Sequence, residues 1–320
     1  MSAMTILLVV GASAILIVGC DARSADNTAL SFKRIADDPR SYPDHITVVN
    51  GKEVSPLNWP SLLRAGFENP DGNLANCTAT IVGPQVVLTA AHCADAGGTR
   101  STVRPAFIDV AGVFVPMNCT MHPKYAAAPI PNDKDVPRSS EDYSLCLIGA
   151  DLSTTGEFMM AEYEDIDMDT RLVPNSHILV IGDGCTKISV QGGRVVTNAL
   201  DFVLRAGDGL VESATANLGP DADYVKSLSN VDNQPALCPG DSGGPLITGA
   251  TFLKQTVSRR VAAVNSTITL FGPSQSELES RFAALATDDF RSFAKKWLTD
   301  HGNPIMCGVN TMPGQWPCRT

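Results

Sequence analysis

The sequence predicts an all-β domain of many short strands, closed at its C-terminal end by one α-helix. Two observations predict it. The 26 glycines and 21 prolines of the 320-residue chain punctuate short apolar runs, and short strands with turns between them make barrels or a sandwich. One stretch near the end carries apolar residues at sustained helical spacing instead.

Val86–Leu88, Val113–Val115, Ile178–Ile181 and Val261–Val264 are examples of the apolar runs. The helix is expected after Thr287, whose hydroxyl can cap it. Phe290, Phe293, Ala294, Trp297 and Leu298 fall on one face, the packing face. Asp288 and Asp289 suit the positive start of its dipole, Lys295 and Lys296 its negative end, and Gly302 its termination. Ser276–Ala286 is ambiguous, with helical spacing at Leu278, Phe282 and Leu285.

Four segments are expected. Residues 1–20 carry no charged side chain and hold two apolar stretches, Ile6–Val10 and Ala14–Val18, so they read as an export signal. They end Ile17-Val18-Gly19-Cys20, similar to the bacterial lipobox, in which the cysteine is lipidated; an uncleaved membrane anchor and an ordinary cleaved signal are the alternatives. Residues 21–47 mix Asp, Arg, Ser, Pro and Asn without apolar periodicity and read as a linker or propeptide. Residues 48–302 are enough for one large domain or two small packed ones, and residues 303–320 form a tail. This predicts an exported protein of the cell envelope, lipid-anchored through Cys20, or one secreted after processing.

The net charge of −10 argues against nucleic acid and bare anionic lipid as partners. Of nine cysteines, setting Cys20 aside leaves Cys77, Cys93, Cys119, Cys146, Cys185, Cys238, Cys307 and Cys318. Eight is an even number, fit for four disulfides in an oxidising compartment. No His-Glu-x-x-His or paired Cys-x-x-Cys spacing points to a metal, and no cofactor is expected.

Two short segments carry chemistry. Gly240-Asp241-Ser242-Gly243-Gly244-Pro245 presents a serine among glycines that permit a tight turn and close approach to a substrate. Thr89-Ala90-Ala91-His92-Cys93 follows the run Val86–Leu88 and supplies an imidazole. A serine hydroxyl becomes a good nucleophile only when a base takes its proton, and the oxyanion that forms needs preorganised donors. The third member should be a carboxylate that holds the imidazole in one tautomer. Asp142, in Glu141-Asp142-Tyr143-Ser144-Leu145, is the candidate, with Asp133, Asp135 and Glu141 as competitors.

These motifs resemble those of the chymotrypsin/trypsin-like serine proteases, over roughly Val48 to Gly302. The order His92, Asp142, Ser242 fits that family and neither the α/β-hydrolases nor the subtilisins. The resemblance implies two packed six-stranded antiparallel β-barrels, with His92 and Asp142 from the first and Ser242 from the second. It implies peptide-bond hydrolysis through an acyl-enzyme, with the Gly240 and Ser242 N–H groups as the oxyanion hole. His122, in His122-Pro123-Lys124-Tyr125, matches a structural feature of the family and receives no catalytic role. The family pairs Cys77 with Cys93. Cys119–Cys146, Cys185–Cys238 and Cys307–Cys318 are candidate pairings that sequence does not fix.

Val48-Val49-Asn50-Gly51 resembles the family's mature start, which implies a cut before Val48 by an activating protease and pairing of the freed amino group with Asp241. Thr47 before the cut argues against a trypsin-like activator, and the cut would part the domain from a lipid on Cys20. Ala236, six residues before Ser242, falls at the base of the family's specificity pocket and cannot pair with Lys or Arg in a substrate. Ser266 and Ile268 fall on the pocket wall, where Ile268 would favour small apolar side chains. Protein or peptide substrates are therefore expected. Two other readings are an inactive protease-like binding protein and an esterase on the same triad.

Overall fold

A computed structural model describes residues 48–69, 71–96, 102–110, 113–130, 137–154, 163–191, 194–197, 200, 203–212, 224–230, 234–255, 258–271, 277–312 and 314–319. Residues 1–47, with Cys20 and Thr47, and also Asp133, Asp135 and Ser276, lie outside the described residues.

The elements in chain order are β1 (Lys52–Glu53), β2 (Leu62–Glu68), β3 (Leu74–Gly83), β4 (Val86–Thr89), α1 (Ala91–Ala94), β5 (Ala106–Val110), β6 (Val113–Met121) and α2 (Pro123–Ala127). Then come β7 (Ser144–Ile148), β8 (His177–Gly182), β9 (Ile188–Gln191), β10 (Arg194–Thr197), β11 (Arg205–Leu210) and β12 (Tyr224–Asn230). The chain closes with β13 (Pro245–Thr248), β14 (Arg260–Phe271), β15 (Glu277–Ala284) and α3 (Asp288–Asp300).

The first half closes into a six-stranded antiparallel barrel in the order β2-β3-β4-β7-β6-β5. Its interior is filled by alternating residues such as Ala79, Ile81, Val87 and Leu145, all fully buried, as the two-residue period of a strand requires. The second half is a seven-stranded antiparallel sheet, β1-β11-β8-β13-β14-β15-β12. Six of these strands make the second barrel, and the two-residue β1 is added at the edge of β11. A hydrogen bond from Glu212 N to Lys226 O (2.8 Å) joins its two ends. β9 and β10 form a separate hairpin.

The doubtful stretch around Phe282 is a strand. β15 pairs with β12 on one side and β14 on the other, so its main-chain groups have partners on both edges, an advantage that outweighs the helical spacing of three apolar residues. α3 forms where its cap and apolar face predict, although it runs on past Lys295 and Lys296 and its last turn holds no basic residue. Thr287 Oγ1 accepts from Phe290 N (3.1 Å), and the five apolar residues of its packing face are buried. Gly302 follows the C-cap at φ +78°, the left-handed conformation that ends helices.

Four disulfides join Cys77–Cys93, Cys119–Cys146, Cys185–Cys238 and Cys307–Cys318. Cys119 and Cys146 face each other across β6 and β7. The last disulfide closes the tail, which is part of the folded body: Met306, Cys307 and Cys318 are buried in the main core. Cys307 N donates to Val82 O (2.7 Å) and Ile166 N donates to Cys307 O (3.0 Å), so the tail lies between β3 and the segment that links the two barrels. Among the described residues, no helix is long and apolar enough to cross a membrane.

Candidate active site

His92 and Asp142 are brought together in the first half. β4 delivers the chain into the single turn of α1, which carries His92; the segment before β7 carries Asp142, and β4 pairs with β7. Asp142 is fully buried. Its Oδ1 accepts from the His92 main-chain N–H (2.8 Å), and its Oδ2 lies 2.7 Å from His92 Nδ1. The two bonds fix both the position and the ring plane of the histidine. Partial burial pulls the imidazole pKa down, but the charge and hydrogen bond of Asp142 outweigh it, and the net shift is upward from 6.5.

A second tie holds the same two segments. Asp95, just after α1, pairs with Arg138, four residues before Asp142, with Nη2 2.7 Å from Oδ1 and Nε 2.6 Å from Oδ2. Both residues are buried. On the other side, His122 packs edge-on against Tyr143 and Phe293 with ring centroids 5.1 and 5.2 Å away. Burial lowers its pKa, and it sits as a packed ring away from the His92–Asp142 pair.

Ser242 lies on the loop before β13. Its carbonyl accepts from Thr78 N (2.8 Å) on β3, and Gly243 N donates to Asn265 O (2.8 Å) on β14. Gly243 has φ +83°, and a Cβ there would sit 2.1 Å from Thr89 Oγ1 and 3.0 Å from Ala90 N. Only glycine allows the serine loop to come so close to the histidine segment. The Ser242 side chain is partly exposed and its hydroxyl makes no hydrogen bond among the described residues; such bonds commonly tighten only with substrate in place.

The candidate oxyanion donors are on the same loop. Gly240 has φ +101°. Pro239 O, in the same peptide as the Gly240 N–H, accepts from Cys185 N (2.9 Å), so in a trans peptide that N–H points the opposite way. Neither the Gly240 nor the Ser242 N–H donates within the described residues, which leaves both for an incoming oxygen.

A buried carboxylate touching an imidazole, beside a glycine-bound serine at the junction of two antiparallel barrels, is the arrangement the motifs imply. The family model described as Trypsin matches residues 48–278. The chain belongs to the trypsin family. A solved structure described as "Structure of GrC" is similar in fold, with a TM-score of 0.53 over 78% of this chain and 99% of that one, at 19% identity. No curated protein matches.

Within this trypsin-family domain, Ser266, expected from the resemblance on the pocket wall, also makes a contact that the sequence does not announce: its buried hydroxyl donates to Asp142 Oδ2 (2.6 Å). The pairing of β14 with β15 slips between Asn265 and Thr267, and such a bulge re-aims one side chain. Ile268, two residues on, packs partly buried against the cluster of Val180, Leu237 and Phe282. Ala236 is fully buried and pairs with Val49 in an isolated bridge.

Asp241 is fully buried. Its Oδ1 accepts from Gly184 N and its Oδ2 from Cys238 N, both at 2.8 Å. Burial still dominates and pushes its pKa up to about 8. Val48, in the continuous chain, is also fully buried, packed in the second-barrel cluster with φ +44°. His92 lies close to Cys77 and Cys93, and Asp165 to Cys307 and Cys318, at metal-ligand spacing. All four sulfurs are in disulfides and have no thiolate to offer an ion.

Proposed function

We propose that the chain is a serine endopeptidase in which Ser242 is the nucleophile, His92 the general base and Asp142 its orienting acid. The observation that supports this most directly is the double hydrogen bond of Asp142 to His92, at 2.8 and 2.7 Å. It holds Nδ1 as the protonated nitrogen and leaves Nε2 to take the serine proton. Attack on the scissile carbonyl then gives an oxyanion received by the Gly240 and Ser242 N–H groups. His92 returns its proton to the leaving amine, and water repeats the sequence on the acyl-enzyme.

Substrates are proteins or peptides cut after small or apolar residues. By the resemblance Ala236 would form the pocket base, where it brings no charge, and Ile268 would narrow the wall. Four disulfides fit a domain exported to an oxidising compartment; a lipid on Cys20 would hold it at the membrane until a cut before Val48 releases it. The test is intact-mass analysis of membrane-extracted protein with and without a fluorophosphonate probe. We expect one adduct, abolished in Ser242→Ala, and faster turnover of peptides with Ala or Val at P1 than with Arg or Lys. An unlabelled mature chain would favour the binding-protein reading, and a preference for Arg would overturn the specificity.

The activation step carries its own expectation. An unfolded Asp titrates near 3.9, whereas Asp241 in the uncut fold titrates at about 8. Between these values the folded chain binds the extra proton, so the uncut protein loses stability as pH rises from about 4 to about 8. Each unit is worth up to ~1.4 kcal/mol. Urea unfolding at pH 5 and pH 8 should show this drop. Asp241→Asn should reduce it, and so should cleavage before Val48, which puts an ammonium group within reach of the carboxylate. A drop unchanged in Asp241→Asn would refute the assignment.

A further inference from the structure

The loop 183–185 touches the nucleophile loop with two residues and the first barrel with a third. Cys185 N holds Pro239 O, Gly184 N holds the Asp241 carboxylate, and Asp183 reaches across to the first barrel. Asp183 is 3% exposed. Its Oδ1 accepts from Thr78 Oγ1 (2.7 Å), and its Oδ2 lies 3.5 Å from Arg64 Nε. Arg64 is on β2 and Thr78 on β3. A buried carboxylate is costly unless it has such partners, and neither the triad nor the activation pair uses this one.

Thr78 is the centre of the arrangement. It is fully buried, and its main-chain N–H donates to Ser242 O while its carbonyl accepts from Thr89 Oγ1. Its single hydroxyl proton faces two acceptors, Asp183 Oδ1 at 2.7 Å and Gly240 O at 2.9 Å, and is shared between them as a three-centre bond. Gly240 is the residue whose N–H is aimed at the oxyanion. Having no side chain, it can turn freely about its own bonds unless its neighbours are fixed. Cys185 N fixes the peptide before it, and the Thr78 hydroxyl reaches the carbonyl after it.

We propose that the Thr78 hydroxyl, held in place by Asp183 and Arg64, is a positioning group for the oxyanion hole: it locks the Gly240 main chain so that its N–H keeps the aim the transition state needs. The proposal rests on the serine-protease reading above. It makes the brace a bridge between barrels, since Asp183 and Gly240 come from the second half and Arg64 and Thr78 from the first.

The test is Thr78→Val, which keeps the shape and removes the hydroxyl, with Thr78→Ser as the rescue. Both are measured in the form of the chain that labels with the fluorophosphonate. Labelled sites are counted at the endpoint, so that kcat is expressed per folded active site. Removing an oxyanion donor outright costs about 10²–10³ in kcat; loosening one should cost about tenfold. We expect that loss in Thr78→Val with KM within about twofold, because an oxyanion donor acts in the transition state, and recovery to within about threefold in Thr78→Ser. A Thr78→Val enzyme with wild-type kcat per site, even if less stable, overturns the proposal, as does a loss confined to KM. If the unmodified chain itself does not label, the underlying serine-protease reading fails instead, and the two failures are distinct.

Discussion

Asp142→Asn is expected to lower kcat by about four orders of magnitude, the loss that a wrong histidine tautomer brings in a Ser-His-Asp triad. The geometry gives the reason. Asp142 accepts three hydrogen bonds, from His92 N, from His92 Nδ1 and from the Ser266 hydroxyl. An asparagine can offer only one oxygen to these donors. With its NH₂ towards the ring, His92 keeps hydrogen bonding only by presenting a bare Nδ1, which puts the proton on Nε2 and leaves no base for Ser242. The fold should survive, because the side chain keeps its volume in a fully buried place. A second readout separates this role from a structural one. Asp142 raises the His92 pKa against the effect of burial, and His92 works as a base only when neutral. Wild-type activity should therefore rise as pH climbs through a value above 6.5, and the residual activity of Asp142→Asn should begin its rise at lower pH. Full activity in Asp142→Asn would move the role to another carboxylate. Glu141, the nearest competitor in sequence, lies 3.8 Å from Nζ of the exposed Lys124 on α2.

The parts of this site that are legible in sequence are those written locally. His92 and Ser242 each sit in a run of small residues whose composition is needed for close approach, as the contacts of Gly243 with Thr89 and Ala90 make plain. α3 is legible because its cap, charges and apolar face all lie within one short segment. The Ser266 contact is not, because it depends on a slip between β14 and β15 that no residue pattern announces. Asp95–Arg138 and Thr78–Asp183 join residues 43 and 105 positions apart, and a single charged or hydroxyl residue in sequence reads as solvated surface. Ser276–Ala286 shows the converse: its helical spacing is real, but a place between two strands decides its structure. In sequence, residues 303–320 read only as a tail after the helix. Only the packing of Cys307 against Val82 and Ile166 reveals it as part of the fold.

Glu164→Met should destabilise the folded domain by about 3–5 kcal/mol, the cost of leaving a buried charge without its partner. Glu164 lies on the segment between the barrels, with its N–H on Ile81 O at 3.3 Å, and Arg259 lies just before β14. Both side chains are 0% exposed. Arg259 Nε and Nη2 reach Oε2 and Oε1 at 3.0 and 2.5 Å, and its guanidinium stacks 3.7 Å above the Trp59 ring. Its Nη1 already has no hydrogen-bond acceptor among the described residues, so the loss of Glu164 strips the cation of its carboxylate. Arg259→Met should cost less. Glu164 then still has Arg319 within 3.8 Å, and a methionine can lie on the Trp59 ring that the guanidinium covered. The double replacement should cost less than the sum of the two single ones, because two apolar side chains of similar volume leave no stranded charge. Guanidinium-chloride midpoints for the two single variants and the double variant check this order. Equal losses in the two single variants would mean that Arg319 gives Glu164 no support, and the tail would then contribute to the barrel junction through its disulfide and backbone contacts alone.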